Sequence, residues 1–244
     1  MKILCIIQAR MGSERLPGKI MKMILDKPMI TYTLDRTMTS KYIDEVVLAT
    51  TENDCEDPMV EYLEANYYNV FRGDENNVLK RYVDTVNLYN GDIIIRITGD
   101  CPFIDPIIID QVITYFLTNN FEFVRVDVPE NFIRGFDVEV FTRQALEKVY
   151  DISRNIEGDS PYKEHVTLYM YKHPEEFIVG KFEGSEFYQK DYRLCVDTKE
   201  DFELVRLIYE HFKNKYVTSK EIVQFLDEHK EISQINQGIK QKHV

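Results

Sequence analysis

The sequence predicts an α/β fold in which a mostly parallel sheet is wrapped by helices. In the first half of the chain, short apolar runs alternate with longer segments of helical spacing, which is typical of such folds. The first run, Ile3 to Ile7, is apolar throughout, as strands covered on both faces are. With 244 residues, of which 44% are hydrophobic, the chain can bury one sizeable core. We therefore expect a single domain over residues 1–244.

Four strands are predicted before the middle of the chain. They are Ile3 to Ile7, Glu45 to Thr50, Asn69 to Phe71 and Ile93 to Ile97. Between the last two, apolar residues recur at helical spacing from Val78 to Tyr89, so this helix should lay one face on the sheet. Another helix is expected to begin at Asp105 and Pro106, because aspartate caps free backbone amides and proline suits the first helical position.

Two further strands are predicted in the middle third, at Phe121 to Val128 and Val138 to Phe141. The loop between them contains Pro129 and Gly135, and we interpret the unit as a small β arm or lid. Nearer the end of the chain, Leu194 to Val196 is predicted as a short strand.

Two helices in the last third begin with the same capping pattern. Thr198 and Asp201 open the first, and Thr218 and Glu221 open the second. In such a pair, each side chain satisfies a backbone amide of the other residue. The tail at residues 230–244 is polar and weakly periodic, so we expect it to fray or to dock on a partner.

Composition excludes several classes of function. A formal net charge of −12 argues against nonspecific binding of nucleic acid, which depends on cations that displace counterions. The four cysteines occur singly, without the spacing of zinc or redox sites. No apolar stretch approaches the length of a membrane span or a signal-peptide core. We expect a cytoplasmic protein with no nucleic acid and no membrane partner.

The segment after the first strand concentrates the most chemistry. Residues 9–19 (ARMGSERLPGK) place three cations, Arg10, Arg15 and Lys19, around Gly12 and Gly18. Glycine lets the backbone approach a ligand closely, while arginine offers a planar fork and lysine a point charge to a phosphate. Since parallel strands present ligand loops at their carboxyl ends, we interpret this segment as a triphosphate-binding loop. The alternative is a mobile basic surface loop.

Spacing excludes two familiar nucleotide loops. A P-loop has four residues between its glycines and Ser or Thr after its lysine, but five residues separate Gly12 from Gly18 here, and Ile20 follows Lys19. The dinucleotide fingerprint needs three glycines in a tight turn, and this loop offers two with Pro17 between them. A nicotinamide or flavin cofactor is therefore not expected, and any metal must be held elsewhere.

Two aspartates follow predicted strands and are candidates for that metal site. Asp100 comes after the strand that ends at Ile97, and Asp197 follows Val196. Magnesium takes one or two carboxylates together with phosphate oxygens and water, so this pair could hold Mg²⁺ beside the loop. The alternative is that Asp197 caps the following helix and Asp100 stabilises a turn.

An ordered set of motifs carries a family resemblance along nearly the whole chain. The motifs are ARMGSERLPGK, FRGDENNVLKRY, RITGDCPFIDP, GFDVEVF, EHVTLY and VDTKEDF. Together they resemble the SpsF-like branch of the cytidylyltransferases, named after spore coat polysaccharide biosynthesis. This branch is similar to the synthetases of CMP-activated 3-deoxy-octulosonate and CMP-activated sialic acids. The resemblance implies a Rossmann-like fold of the glycosyltransferase-A type, a homodimer, and a reaction that uses CTP and magnesium and releases pyrophosphate.

The resemblance also implies roles for individual residues. The family's triphosphate loop corresponds to Arg10, Gly12, Ser13, Arg15 and Lys19, and its metal carboxylates correspond to Asp100 and Asp197. Of these, Arg15, Lys19 and Asp100 are the expected catalytic residues, and Asp100 also lies on the nucleotide side.

Two other residues complete the nucleotide side implied by the resemblance. Arg72, in the FRGD motif, is one candidate. Gln8 is the other, and it stands where the octulosonate enzymes commonly have proline.

The acceptor side is implied to lie between about residues 121 and 190, together with the dimer contacts. Its candidate residues are Arg134, Asp137 and Glu139 around the GFDVEVF motif and His165 in EHVTLY. The alternative is structural: Arg134 and Asp137 could pair across a loop, and a lone histidine is often a satisfied structural residue.

The residues and the family resemblance together imply in-line attack by an acceptor oxygen on the α-phosphorus of CTP, and the resemblance implies a role in surface polysaccharide or glycan biosynthesis. Catalysis would come from positioning and charge neutralisation. Two rival functions stay open. A glycosyltransferase that uses a nucleotide sugar would usually carry an Asp-x-Asp motif, and the sequence contains none. A module that binds CTP without turnover would not need two metal carboxylates.

Overall fold

The computed structural model describes residues 1–128, 130–156 and 160–241. Pro129 of the predicted arm and the last three residues of the predicted tail lie outside the described residues. Among the helices that are described, none combines the length and the apolar character needed to cross a membrane.

Strands of the described chain form one large sheet and one small sheet. The large sheet contains β1 (Ile3–Gln8), β4 (Glu45–Thr51), β5 (Asn69–Gly73), β6 (Ile93–Thr98), β7 (Phe123–Val126), β8 (Glu139–Thr142) and β9 (Val179–Phe182), in the order β5-β4-β1-β6-β8-β7-β9. The small sheet pairs β2 (Met23–Ile24) with β3 (Lys27–Pro28).

Helices connect these strands and follow them. They are α1 (Met29–Thr37), α2 (Asp57–Ala65), α3 (Val78–Tyr89), α4 (Pro106–Thr118), α5 (Arg143–Arg154), α6 (Pro161–Glu164), α7 (Leu168–Lys172), α8 (Lys199–Phe212), α9 (Ser219–Glu228) and α10 (Lys230–Ser233). The predicted α/β class, with a mostly parallel sheet wrapped by helices, is confirmed.

The direction of the central strands determines where the loops meet. β5, β4, β1 and β6 are mutually parallel, while β8 runs antiparallel to both β6 and β7. Gln8 at the end of β1 lies in register with Thr98 at the end of β6. The loop at residues 9–19 and the turn that contains Asp100 therefore emerge side by side, as ligand loops do at the carboxyl edge of such a sheet.

Two features predicted from the sequence are wrong in detail. The strands predicted as an arm or lid are β7 and β8, and both belong to the large sheet. A separate two-stranded antiparallel unit does exist, but it lies at residues 23–28. Leu194 to Val196 forms no ladder strand. In this segment, Leu194 N donates to Arg134 O at 2.8 Å and Val196 N donates to Asp100 O at 2.8 Å.

The apolar run of β1 serves two cores. Cys5 and Ile7 pack into the core on one face of the sheet, and Leu4 and Ile6 pack into the core on the other. Since successive side chains of a strand point to opposite faces, a strand covered on both sides must be apolar at every position. The predicted inner face of α3 is confirmed, because its residues from Leu79 to Val86 supply the second core.

The predicted helix caps are also confirmed. Asp105 accepts a hydrogen bond from Ile107 N at the start of α4. Thr198 and Asp201 form a capping box on α8, and α9 begins with the same device. Such side chains satisfy amides that have no partner inside the helix.

Arg36 links α1 by hydrogen bonds to two other segments of the chain. Its side chain is fully buried, and Nε donates to Ile104 O at 2.7 Å while Nη2 donates to Phe103 O at 3.2 Å. Nη1 donates to Lys215 O and Val217 O, both at 2.8 Å. One guanidinium thus satisfies carbonyls from the turn before α4 and from the connection before α9.

We expect Arg36→Met to lower the free energy of unfolding by about 3 kcal/mol or more, because it strands several buried carbonyls without donors. Urea unfolding followed by circular dichroism measures the change. Arg206→Met is the control, since Arg206 pairs with Glu203 and Glu210 on the surface of α8 and such pairs contribute about 1 kcal/mol or less. Equal losses in the two variants would contradict the role given to Arg36.

Candidate active site

The loop after β1 closes on itself at Met11. The carbonyl oxygen of Met11 accepts from Ser13 N at 2.9 Å and from Gly18 N at 3.3 Å. Gly18 adopts φ of +64°, which side chains with a Cβ rarely tolerate. By contrast, a Cβ added to Gly12 would meet nothing within 4 Å. Gly18 therefore shapes the backbone of the loop, whereas Gly12 leaves its surface open.

Glu56 anchors the same loop from the neighbouring connection. Its buried carboxylate accepts from Met11 N at 2.9 Å and 3.2 Å, one distance to each oxygen. It also accepts from Thr50 Oγ1 at 2.9 Å and Thr51 Oγ1 at 3.4 Å. Sequence reasoning missed this residue because its main partner lies far away along the chain, and no local pattern marks such a contact.

Lys19 joins the loop to both aspartates. Its Nζ lies 2.9 Å from Asp100 Oδ2 and 3.0 Å from Asp197 Oδ1, and it donates to Val196 O at 2.6 Å. Burial by itself would lower the pKa of Lys19, but the two carboxylates outweigh it and hold the pKa above its ordinary value. A protonated lysine thus sits between the two predicted metal carboxylates.

Two arginines bind the other side of Asp197. Asp197 Oδ2 pairs with Arg15 Nη2 at 2.8 Å and with Arg193 Nη2 at 2.5 Å. Burial would raise the pKa of Asp197, but Lys19 and the arginines outweigh it and keep the pKa below its usual range. The helix cap of α8 is Thr198, so the carboxylate of Asp197 serves these cations and not the helix.

The turn at Asp100 is likewise held by a backbone hydrogen bond and does not use the carboxylate of Asp100. Cys101 N donates to Thr98 O at 3.2 Å, which leaves Asp100 Oδ2 to Lys19. Two carboxylates that converge on one cation are a donor set that suits a hard divalent ion such as Mg²⁺.

A cavity of about 510 Å³ opens over the loop. Its walls include Gln8, Arg10, Gly12, Ser13, Arg15, Lys19, Asn76, Arg81, Asp100, His165 and Asp197. Four cationic side chains line this cavity together with five carboxylates, which are Glu14, Glu75, Asp100, Glu164 and Asp197. Arg81 was missed in the sequence; it is buried, it donates from Nε to Asp74 O at 3.1 Å, and burial lowers its pKa.

A second cavity of about 260 Å³ adjoins the first. The two share Arg15, Thr98, Asp100 and Asp197, and the second adds Arg96, Arg125, Arg134, Asp137, Glu139 and Gln241. The predicted acceptor residues Arg134, Asp137 and Glu139 are therefore brought together. The junction of the two cavities is the cluster around Asp100 and Asp197.

The acidic side chains of the second cavity have defined partners. Glu139 Oε2 accepts from Arg96 Nη1 at 2.7 Å and from Thr167 Oγ1 at 2.9 Å. Asp137 Oδ2 accepts from Gly135 N at 2.6 Å, and burial raises the pKa of Asp137. Arg134 lies close enough for its charge to oppose that rise in the pKa, but it is the backbone amide of Gly135 that binds Asp137 Oδ2.

Two predicted site residues are placed differently. Arg72 lines neither cavity; its guanidinium pairs with Asp57 at 2.6 Å and donates to the carbonyls of residues 51–53. His165, expected on the acceptor side, lines the first cavity, and burial lowers its pKa. In this structure the donors of Arg72 are directed to Asp57 and to the β4–α2 connection.

We expect Lys19→Met to lower the free energy of unfolding by about 1–3 kcal/mol, because Asp100 and Asp197 lose a shared buried donor. Thermal unfolding at low salt measures the loss. Lys220→Met, at an exposed position of α9, is the matched control and should change stability by about 0.5 kcal/mol or less. If both variants melt at the wild-type temperature, Lys19 is not the counter-ion of this cluster.

Comparison with known proteins shows the family to which the chain belongs. Residues 4–239 match the family model described as cytidylyltransferase. The chain is 38% identical over 243 residues to the uncharacterised protein MJ1063 of Methanocaldococcus jannaschii, covering 99% of this chain and 97% of that protein. It is 34% identical over 231 residues to the spore coat polysaccharide biosynthesis protein SpsF of Bacillus subtilis, covering 92% and 94%.

A solved structure of a cytidylyltransferase from Leptospira borgpetersenii superposes on the whole chain. Its TM-score is 0.89 at 34% identity, and the match covers 100% of each chain. The family model, the sequence identities and the superposition over the whole chain agree, and the chain belongs to the cytidylyltransferase family.

Proposed function

We propose that this protein transfers CMP from CTP to an acidic sugar or a related acceptor, with release of pyrophosphate, for surface polysaccharide or glycan biosynthesis. The observation that carries the proposal is the junction of two cavities at Lys19, Asp100 and Asp197. A nucleotide in the first cavity and an acceptor in the second would meet at this junction.

The first cavity suits a nucleoside triphosphate. Arg10, Arg15, Lys19 and Arg81 all line it, and together they would offset the charge of the three phosphates. The closed loop at residues 11–18 exposes Gly12 and Ser13 to the same space. Charge that builds on the departing pyrophosphate would be stabilised most directly by Arg15 and Lys19, since both already contact the junction.

Asp100 and Asp197 are proposed to hold Mg²⁺. A bound magnesium ion would neutralise phosphate oxygens and help pyrophosphate to leave. Lys19 would then donate to the phosphates, because the divalent ion would take its place beside the two carboxylates. Arg193 would remain paired with Asp197 Oδ2 and would orient the carboxylate.

The second cavity suits an anionic acceptor. Arg125 and Arg134 line it together with Arg15, and cations of this kind bind a carboxylate well. The sugar acids activated by the octulosonate and sialic acid synthetases, which the motifs resemble, have this chemistry. An acceptor oxygen would attack the α-phosphorus in line; the new O–P bond forms as the bond to the β-phosphate oxygen breaks, and the acceptor proton passes to solvent.

Pyrophosphate release tests the proposal. Purified protein with Mg²⁺ and each nucleoside triphosphate is assayed against a panel of 3-deoxy-2-keto sugar acids, sugar phosphates and phosphonates. We expect release that requires CTP and one acceptor class, and a rate at least about 100-fold lower in Asp100→Asn, since a metal ligand contributes several kcal/mol to such a step. Asp84→Asn is the control, because Asp84 pairs with Lys80 on the surface of α3.

The other outcomes favour the rival functions. Tight CTP binding without release, for every acceptor tested, would favour a CTP-binding module. Cleavage of a nucleotide sugar without use of free CTP would favour a glycosyltransferase.

We also propose that the active form is a homodimer, with the region at about residues 121–190 contributing to the contact. The family resemblance supports this state. Analytical ultracentrifugation of the purified protein measures it, and a monomer at micromolar concentration would contradict it.

A further inference from the structure

The C-terminal segment after α10 folds back onto the site. Asn236 is buried, although its neighbour Gln237 is exposed. Its amide nitrogen Nδ2 donates to Arg193 O at 2.9 Å and to Asp201 Oδ1 at 2.8 Å. The sequence predicted a tail that frays or docks on a partner, but this part of it docks on its own chain.

Arg193 is the residue that receives the tail. Its Nε donates to Asp201 Oδ1 at 3.0 Å, its Nη2 donates to Asp197 Oδ2 at 2.5 Å, and its Nη1 donates to Gln241 Oε1 at 2.6 Å. Every nitrogen of the guanidinium therefore has a partner, and one of these partners is an amide from the tail. A planar guanidinium held at three corners has little freedom to rotate.

Asp201 completes the network from below. Its second oxygen, Oδ2, accepts from Asp197 N at 2.9 Å and from Thr198 N at 3.0 Å. The backbone of Asp197 is thus held by Asp201, and its side chain is held by Arg193. Asn236 donates to the backbone of Arg193 and to the side chain of Asp201. The tail therefore stabilises the orientation in which Asp197 Oδ1 faces Lys19 and Asp100.

We propose that Asn236 and Gln241 are positioning residues of the active site and that residues 234–241 form a strap which fixes Asp197 through Arg193. This inference rests on the proposed function of Asp197 as a metal ligand. Neither residue needs to contact the nucleotide. Gln241 lines the second cavity, so that the strap also closes the acceptor side next to the arginine that it holds.

Loss of Asn236 would act through Arg193 and Asp201. Without the amide, Asp201 Oδ1 and the carbonyl of Arg193 lose a buried donor, which costs more than the loss of an exposed hydrogen bond. Arg193 can then leave Asp197, whose carboxylate can turn away from Asp100. Partners that orient a metal ligand typically contribute roughly 10–100-fold to metal affinity. Loss of Asn236 should therefore weaken metal binding and not only lower the rate of turnover.

The test measures Mn²⁺ binding in the presence of CTP and without acceptor, by water proton relaxation enhancement on full-length protein, because the proposed ion also takes phosphate oxygens as ligands. We expect Asn236→Leu to raise the Kd for Mn²⁺ by about tenfold or more, and Gln241→Ala to raise it by about threefold, since water can replace an exposed amide. Gln237→Ala is the matched control for Gln241→Ala, because it also removes a glutamine side chain from an exposed position of the strap. Its Kd for Mn²⁺ should equal that of the wild type. An unchanged Kd in Asn236→Leu would overturn the inference.

A crystal structure of Asn236→Leu gives a readout that does not depend on metal. We expect the contact between Arg193 Nη2 and Asp197 Oδ2 to be broken, and an intact contact would overturn the inference. If Asn236→Leu does not fold, Asn236→Ser, which keeps a small polar side chain, is measured in the same way and is held to the same two outcomes.

The two proposals fail in different ways. If Asp100→Asn loses Mn²⁺ binding while Asn236→Leu keeps it, the strap is wrong and the metal site stands. If the wild type binds no Mn²⁺, the metal assignment of the proposed function is wrong, and the crystal structure alone decides whether the strap positions Asp197.

Discussion

The ion cluster centred on the Lys19 ammonium is the interaction on which the site depends. A buried cation must be paired, since an isolated charge in a protein interior is strongly unfavourable. Its partners are Asp100 from the turn after β6 and Asp197 from the segment before α8. Three segments that are far apart in the chain are thereby brought to one point. The two cavities meet at the same point. The cluster that connects these three segments therefore also lies where the nucleotide and the acceptor are proposed to meet.

Around this cluster lies a layer of residues that hold the chemical groups in place without lining the first cavity. Glu56 holds Met11, the residue on which the loop closes. Arg193 holds Asp197 and is held in turn by the end of the chain. In each case the buried charged side chain has a neutral or oppositely charged partner. Such partners allow charged side chains to converge at the carboxyl edge of a sheet whose faces are apolar.

Much of the fold follows from local patterns. The parallel strands β1, β4, β5 and β6, the inner face of α3 and the three helix caps were all predicted, because burial on both faces and capping leave direct signals in neighbouring residues. β7 and β8 were predicted as strands, but their partners were not. Strand partners depend on long-range pairing, and the same short run can form a separate arm or lie within a larger sheet, as β7 and β8 do here. The strands of the small sheet were too short to leave a pattern, and Gly180 and Lys181 interrupt the apolar pattern of β9.

For the site, the sequence by itself determined which kinds of groups are present. It identified a cationic glycine-containing loop at residues 9–19 and carboxylates after two apolar runs, because these features are contiguous in the chain. Only the tertiary structure decided which groups meet. It paired Arg72 with Asp57, placed His165 in the first cavity, and brought Glu56, Arg81 and Asn236 into supporting positions. Such contacts join distant residues, and their energies depend on burial and direction, which exist only once the chain has folded.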